Sequence, residues 1–599
     1  MRQINTQHTF HIPVMGIGFT IDTPVKVAHL GISSVISLVD DTLVEKMRKF
    51  YCEKMKLSYE PITEKQEDHR AKRITEYLNL VDVLVTEKFT AMKRSFEEKS
   101  DELQKYIDSF PNFSEIKKRF NEFIQRNTIK EDLRQWLDEH LHPGSIDVNI
   151  MTKLDKENYR NNEKLPTEYN DAHAALRGYA NSNLCSSIVF SAGMNPRLYG
   201  SIEKYDDFYP DERGFIKKKI ILKVSDYRSA IIQGKFLAKK GLWVSEYRIE
   251  SGLNCGGHAF ASDGYLLGPI LEEFKTHRQD LINTTHELFT AALKTKNRAV
   301  PVSPLPVKIS AQGGVGTAEE HEFLLQQYGL DTIGWGSPFL LVPETTNVDT
   351  HTLDLLCKAK EEDLYLSGIS PLGVPFNSLR GNTKDIEKQN NIDKGRPGSS
   401  CPRKHVELNT EFGEKAICIS SREYQFKKIK QLDTMNLSPE EYKKRYDAIT
   451  DKSCICVGLG TAALLVNGIE TKKEGPGVSV CPGPNIAYFT RTATLQEMMN
   501  HIYGRLSLVC EETRPNMFIK ELKLYVDYLK SQLAETAQPF SEKQLKYFET
   551  FRQNLDEGIA YYKTLFGDFE KKLAVLKEDI LGELEKIRLQ LHACTAVAA

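Results

Sequence analysis

The sequence predicts an α/β protein: a (β/α)8 TIM barrel with a large helical insertion and a helical C-terminal extension. Three observations predict it. Short apolar runs of buried-strand type recur eight times and largely alternate with stretches of helical spacing. Glycine-rich turns stand where these runs end, on the face where a barrel gathers its working residues. Two of those turns fall in consecutive strand–helix units, around Gly313 and Gly336, which matches the phosphate site that such barrels build after their last two strands.

The elements follow in order. Val14 to Phe19 reads as the first strand, with Gly16 and Gly18 toward its end, and Pro24 opens a short helix that Gly31 stops. Ile32 to Leu38 is the second strand. From about residue 41 to 140 the chain is rich in Lys, Glu, Phe and Leu at helical spacing (Leu78, Val81, Val85, Phe89, Met92), and Pro143-Gly144 ends this insertion. Ile146 to Thr152, Ser187 to Ser191, Ile220 to Val224 and Val244 to Ile249 are strands three to six. Val307 to Ala311 and Thr332 to Trp335 are the last two. Between them Thr317, with Glu320 three residues on, has the spacing of a capping box, and Gly329 stops the helix it opens. The barrel is thus expected from 1–40 and 145–385, around an insertion at 41–144. A cysteine-containing irregular region covers 386–510, with an exposed polar loop from Asn382 to Ser400, and long helices cover 511–599.

Chemistry is expected at the strand ends. Bare glycine backbone lets N–H groups approach an anion, and a helix N-terminus adds its positive dipole end. On this reading Gly313, Gly314, Gly336 and Ser337 offer a phosphate cradle; the alternative is a pair of ordinary strand-end turns. His258 follows two glycines in Asn254-Cys-Gly-Gly-His258, and an imidazole there suits proton transfer near neutral pH, although a structural histidine bonded to its loop fits the same pattern. Asn149 and Lys153 end the third strand within reach of a ring or carbonyl at the barrel mouth. His321, inside a helix, reads as surface or packing, and Cys255 as a packed thiol.

Several of these segments, in this order, resemble the nitronate monooxygenase family, FMN-dependent barrels once called 2-nitropropane dioxygenases, whose relatives include flavin enoyl reductases found with polyketide-type fatty acid synthesis. The similar segments are Asp147-Val-Asn-Ile150, Gly193-Met-Asn-Pro196, Asn254-Cys-Gly-Gly-His258, Ala311-Gln-Gly-Gly-Val315 and Gly336-Ser-Pro-Phe339. The resemblance covers about residues 12–40 and 145–385. It implies FMN at the barrel mouth, a small carbon acid as substrate and His258 as the proton-transfer residue. It also implies a cofactor set of Gly16, Gly18, Asn149, Lys153, Gly257, Gly313, Gly314, Gly334, Gly336 and Ser337. FMN is preferred to FAD because no separate dinucleotide fingerprint is present. The chain departs from the family pattern at Asn254-Cys255, by one added residue in the 311–315 turn, and at Pro338. Two other readings stay open: an enoyl-thioester reductase, and a non-catalytic scaffold on a degenerate barrel.

The formal net charge of −2 gives no electrostatic case for nucleic acid or a membrane surface. The N-terminus has no apolar leader and no run of about 18 apolar residues occurs, so a cytoplasmic protein without transmembrane helix is expected. Five of the eleven cysteines lie between 401 and 481, and their gaps of 16, 35, 1 and 24 residues fit no zinc-ribbon or ferredoxin spacing. Buried thiols, a metal and an Fe–S cluster all remain open for Cys401, Cys418, Cys454, Cys456 and Cys481. Leu555, Ile559, Tyr562, Phe566, Phe569, Leu573, Leu576 and Ile580 form a heptad seam for either the protein's own body or a homodimer through the C-terminal helices.

Overall fold

The computed structural model describes residues 8–95, 102–125, 130–191, 193–254, 257–258, 263–510, 514–536, 539–567 and 574–595. Eight parallel strands close into a barrel in chain order: β1 Phe10–Ile12, β2 Ser33–Ser37, β3 Ile146–Ile150, β4 Ser186–Phe190, β5 Lys218–Val224, β6 Val244–Glu250, β7 Lys308–Gln312 and β8 Thr332–Gly334. Pairing of Phe10 with Ile333 joins β8 back to β1. The strands are apolar on the face toward the surrounding helices, as a buried parallel sheet requires.

The inward positions, every second residue, form layers. At the amino end lie His11, Asp147, Glu246, Arg248 and Ser310, with Arg248 paired to Glu246 at 2.8 Å and Ser310 Oγ donating to the same carboxylate at 2.5 Å. Burial alone would raise Glu246, but Arg248 brings its carboxyl down to about 2. Val35, Val189 and Ile221 make a small apolar plug of their own in the middle. Above it, at the carboxyl ends, stand Ser37, Asn149, Ser191, Lys223, Glu250 and Gln312.

The expected first strand is corrected. Val14 to Phe19 is a loop, because Gly16 takes φ +55° and the N–H groups of Ile17 and Gly18 donate to Leu459 O instead of to a neighbouring strand. The insertion between β2 and β3 is helical as expected. His69–Arg94 packs on the barrel helix Asp171–Ala180 and carries Asp41–Lys54 against it, while Glu102–Asp108, Glu115–Gln125 and Lys130–His140 close a separate small core around Tyr106, Phe110 and Phe120.

The segment expected to be irregular is also corrected. Thr383–Asp393, Arg422–Asp433, Pro439–Thr450, Ile455–Val466 and Leu495–Ile502 are helices, and the expected exposed loop at 382–400 is mostly the first of them. Asn382, Ser421, Ser438 and Thr494 each cap their helix by accepting a backbone N–H three residues on. Among the described residues no single helix is long and apolar enough to cross a membrane.

This C-terminal third is pinned to the barrel by buried charge. Asp40, just after β2, accepts from Arg403 Nε at 2.8 Å, and Arg403 also reaches Glu474 at 2.6 Å, with all three side chains almost wholly buried. Burial opposes the Asp40 carboxylate, yet Arg403 and His405 hold it well below the usual carboxylate range.

The tail forms helices Met517–Glu535, Glu542–Gly567 and Ala574–Thr595, long helices as expected. Ser541 and Gln544 cap the second of them, each accepting the other's backbone N–H. Of the seam, Leu555, Ile559, Tyr562 and Phe566 are buried against the chain's own helices, Met517–Glu535 and Leu267–Thr295 among them, and need no second copy to cover them. Phe569 and Leu573 lie outside the described residues.

Removing the cation from the buried Asp40–Arg403–Glu474 group leaves two carboxylates without it. Arg403→Ala is therefore expected to cost about 3–5 kcal/mol in urea unfolding, as broken buried ion pairs do. A loss under about 1 kcal/mol would mean that the C-terminal third is held mainly by its apolar contacts.

Candidate functional site

The carboxyl ends of the strands open into a cavity of about 320 Å³, large enough for part of a small ligand. Its floor is the upper inward layer of the barrel. Glu250 organises that floor, its Oε1 accepting from Lys223 Nζ at 3.1 Å, Asn254 Nδ2 at 2.6 Å and Gln312 Nε2 at 2.8 Å. Asn149 is 4% exposed, and its Oδ1 is buried without a hydrogen-bond partner. An unpaired buried carbonyl facing a cavity is costly and marks a place for a ligand N–H or O–H. The walls come from distant parts of the chain, among them Phe376, Val406, Cys456, Leu459, Cys481 and Tyr525.

His258 lines this cavity. It pairs with Phe376 as an isolated antiparallel bridge, meets that ring edge-to-face at 5.2 Å, and has Nε2 2.8 Å from Ser370 Oγ. Gly257 before it takes φ +80°, and a side chain there would strike the Phe376 ring. Burial, then the charge of Lys153, lowers the imidazole pKa to about 4, so the ring is neutral at pH 7. Lys153 also lines the cavity. Its stem passes over Gly193, where a Cβ would lie 2.8 Å from Lys153 Cε.

Of the residues expected from the sequence, Gly16, Asn149, Lys153 and His258 thus meet at one cavity. Gly18 serves instead as a close-packing contact, since a Cβ on it would lie 2.8 Å from Gly460 O in helix Ile455–Val466. Gly334 sits within β8 against Gln312 and His11. Cys255 lies outside the described residues. His321 is buried as packing, bonded to Thr9 Oγ1 and to the indole N–H of Trp335.

Gly313 and Gly314 take the positive φ values, +107° and +86°, that make glycine turns. They are packed shut, however. A Cβ on Gly313 would meet the Asn254 backbone at 2.8 Å, and one on Gly314 the Leu253 side chain at the same distance. Asn485 Nδ2 donates to Gly314 O and Val315 O, Arg514 Nη2 donates to Gly314 O at 2.9 Å, and Gly483 N donates to Ser337 Oγ at 2.7 Å. At the start of the helix Ala318–Tyr328, Glu320 Oε2 takes the Gly316 N–H at 2.9 Å, and Arg514 grips both oxygens of that carboxylate. The mouth offers the unpaired Asn149 carbonyl to a ligand N–H. The turns, covered by 483–485 and Arg514, do not fit a phosphate in this arrangement.

Sequence reasoning missed Lys223, Glu250, Gln312 and Ser370. The first two had a signal: each is a charged residue on the inward side at the carboxyl end of its strand. Ser370 had none.

No protein-family model matches the sequence, and no curated protein matches it. Solved structures do. One is the crystal structure of the enoyl reductase domain of MlnA from the macrolactin biosynthesis cluster from Bacillus amyloliquefaciens. It is 14% identical with a TM-score of 0.32, and the match covers 66% of this chain and 86% of that one.

His258 belongs to a set of buried histidines that share a pH signature. Burial lowers His8, His29 and His258 to about 4 and His11 and His321 to about 3. An unfolded chain takes those protons near pH 6.5. The stability from keeping these rings neutral is complete above about 6.5 and is lost as pH falls toward 4. The melting temperature should fall steadily between pH 6.5 and 4.5. A flat profile over that range would show that these rings titrate normally in the folded protein.

Proposed function

We propose that the chain is an oxidoreductase that works at the carboxyl mouth of its barrel on a small carbon acid, in the manner of the nitronate monooxygenase family that its motifs resemble. One observation carries the reading: a neutral imidazole, His258, faces a cavity whose floor presents the unpaired Asn149 carbonyl and the cations Lys153 and Lys223. A flavin ring in the mouth would supply the two-electron acceptor that such chemistry needs. Asn149 Oδ1 would accept from an N–H of that ring, and the Gly16 loop would lie along it.

The protein's own residues then have separate tasks. His258 takes the proton from carbon next to the activating group, and Ser370 Oγ, 2.8 Å from Nε2, is placed to accept a hydrogen bond from the imidazolium that forms. Lys153 and Lys223 favour the anion left on the substrate, which lowers the acidity barrier. The walls from Phe376, Leu459 and Tyr525 narrow access for water. The Glu250 carboxylate holds Lys223, Asn254 and Gln312 in place beneath the substrate.

His258→Asn keeps size and some hydrogen bonding but cannot accept the proton. Turnover should fall about 10²–10⁴-fold, with the melting temperature nearly unchanged. The substrate is found first by a flavin-bleaching screen of nitronates, other carbon acids and enoyl thioesters. In the parent protein the acid limb of kcat/KM should lie near pH 4, where His258 titrates, rather than near 6.5. Full activity of the variant, or its unfolding, would remove His258 from the proposed role.

Cofactor choice is tested separately. Because 483–485 and Arg514 cover the glycine turns, the terminal phosphate gains little there, and FMN should bind within about tenfold of riboflavin by fluorescence titration. A preference for FMN above about a hundredfold would mean that the cover lifts and the turns hold the phosphate. Binding of neither would defeat the flavin part of the proposal.

A further inference from the structure

Behind the wall of the mouth lies a group of thiols with no part in the proton chemistry. Cys401, Cys418 and Cys454 come from three separate segments and are 7%, 3% and 4% exposed. Cys401 is the hub, its thiol close enough to both other sulfurs to shift their titration and be shifted by them. None of the three is in a disulfide. As the side chains stand, no group of three or more Cys, His, Asp or Glu among the described residues is placed to hold a metal ion.

The backbone makes this arrangement deliberately. Ser399 pairs with Ser421 as an isolated bridge, which brings the 401 and 418 segments together. Cys401 itself takes φ +52°, a left-handed conformation that a non-glycine residue adopts only under strain and that concentrates at working sites. Cys454 is the residue that opens the twelve-residue helix Ile455–Val466, where the positive end of the dipole favours a thiolate. Hydrogen bonding from Cys401, and after it the buried Lys384 and His405, pull the Cys454 thiol down to about 6, while the interactions with Cys418 and then with Cys454 push Cys401 up. One sulfur is thus prepared as a nucleophile and its neighbour as the protonated partner. Cys456, two residues further on, lines the mouth cavity.

We propose that Cys454 and Cys401 form a redox-active dithiol that hydrogen peroxide converts to a disulfide. The Cys454 thiolate attacks one peroxide oxygen. The O–O bond breaks, hydroxide leaves, and the sulfur becomes a sulfenic acid. Cys401 then attacks that sulfur, the S–O bond breaks, and its proton leaves with the oxygen as water. The sulfur pair loses two electrons, the peroxide gains them, and a small dithiol reverses the step by exchange. The proposal stands apart from the carbon-acid reading, since it needs only these sulfurs and peroxide.

The test uses the full-length, fully reduced protein exposed to hydrogen peroxide, alkylated while native, and digested without reductant for mass spectrometry. The expected result is a linked peptide pair containing Cys401 and Cys454. About two thiols per chain should be lost from this pair, and dithiothreitol should restore them. In Cys401→Ser, checked for folding by circular dichroism, Cys454 should instead be captured by dimedone as the sulfenic acid. Exposed Cys185 and Cys510 serve as internal references for simple accessibility. If those two react while Cys454 stays a free thiol in the parent protein, the proposal fails. A link from Cys401 to Cys418 with Cys454 untouched removes Cys454 from the role. Zinc or iron bound in stoichiometric amount, and released when these thiols are blocked, would show a metal centre in place of the dithiol.

Discussion

A parallel barrel turns the carboxyl ends of all its strands to one rim, and here the inward residues at that rim are polar: Ser37, Asn149, Ser191, Lys223, Glu250 and Gln312. Buried polar groups must be paired or wetted, so the rest of the structure is organised by how that rim is covered. The C-terminal third does this with specific bonds. Glu521, 1% exposed, sends one carboxylate oxygen to Ser251 Oγ and Gly252 N after β6 and the other to Leu267 N at the start of the next barrel helix. Burial raises that carboxyl, and the three donors counter the effect. Arg403 answers Asp40 after β2, and Asn485 with Arg514 answers the turn after β7. The extension is a structural part of the site, because without it those strand-end groups lose their partners.

The fold was legible because strand and helix periods survive in this sequence without alignment. Seven of the eight strands lie where their apolar runs fall, and Thr317 with Gly329 bounds its helix as read. The first strand was not, because Val14 to Phe19 is apolar for another reason: its residues pack beneath helix Ile455–Val466, a contact that residue spacing cannot encode. The short polar helices between 383 and 450 were missed because they lack an apolar stripe, although each carries a readable cap at Asn382, Ser421 or Ser438.

The site was legible in part, for a physical reason. Residues at or just past the carboxyl ends of β1, β3 and β6 converge because barrel topology alone brings strand ends together, and that covers Gly16, Asn149, Lys153 and His258. The hydrogen-bond partner of His258 comes from Ser370, and the walls from Cys456, Cys481 and Tyr525, more than a hundred residues away in the chain. Topology does not fix those encounters; side-chain packing of the extension does. The pairing of Cys401 with Cys418 and Cys454 belongs to the same class, invisible in gaps of 16 and 35 residues.

The closed glycine turns show how one sequence feature can serve two ends. The start of a helix attracts an anion through its unpaired N–H groups and its dipole, and in a phosphate-binding barrel the ligand supplies that anion. In this chain Glu320 supplies it. Thr317 Oγ1 accepts Glu320 N–H, as in an ordinary cap, but the Glu320 carboxylate turns to Gly316 N–H rather than to the Thr317 backbone. Arg514 then pairs with both its oxygens, and Met517 N–H donates to one of them. The spacing that announced the helix is therefore also what fills the position an external phosphate would take. An incoming phosphate would meet a carboxylate already in place and would have to draw Arg514 away from it. Each hydrogen bond to a charged group contributes about 1.5–3 kcal/mol, so the cover is held by more than one such bond and opens only to a ligand that replaces them together.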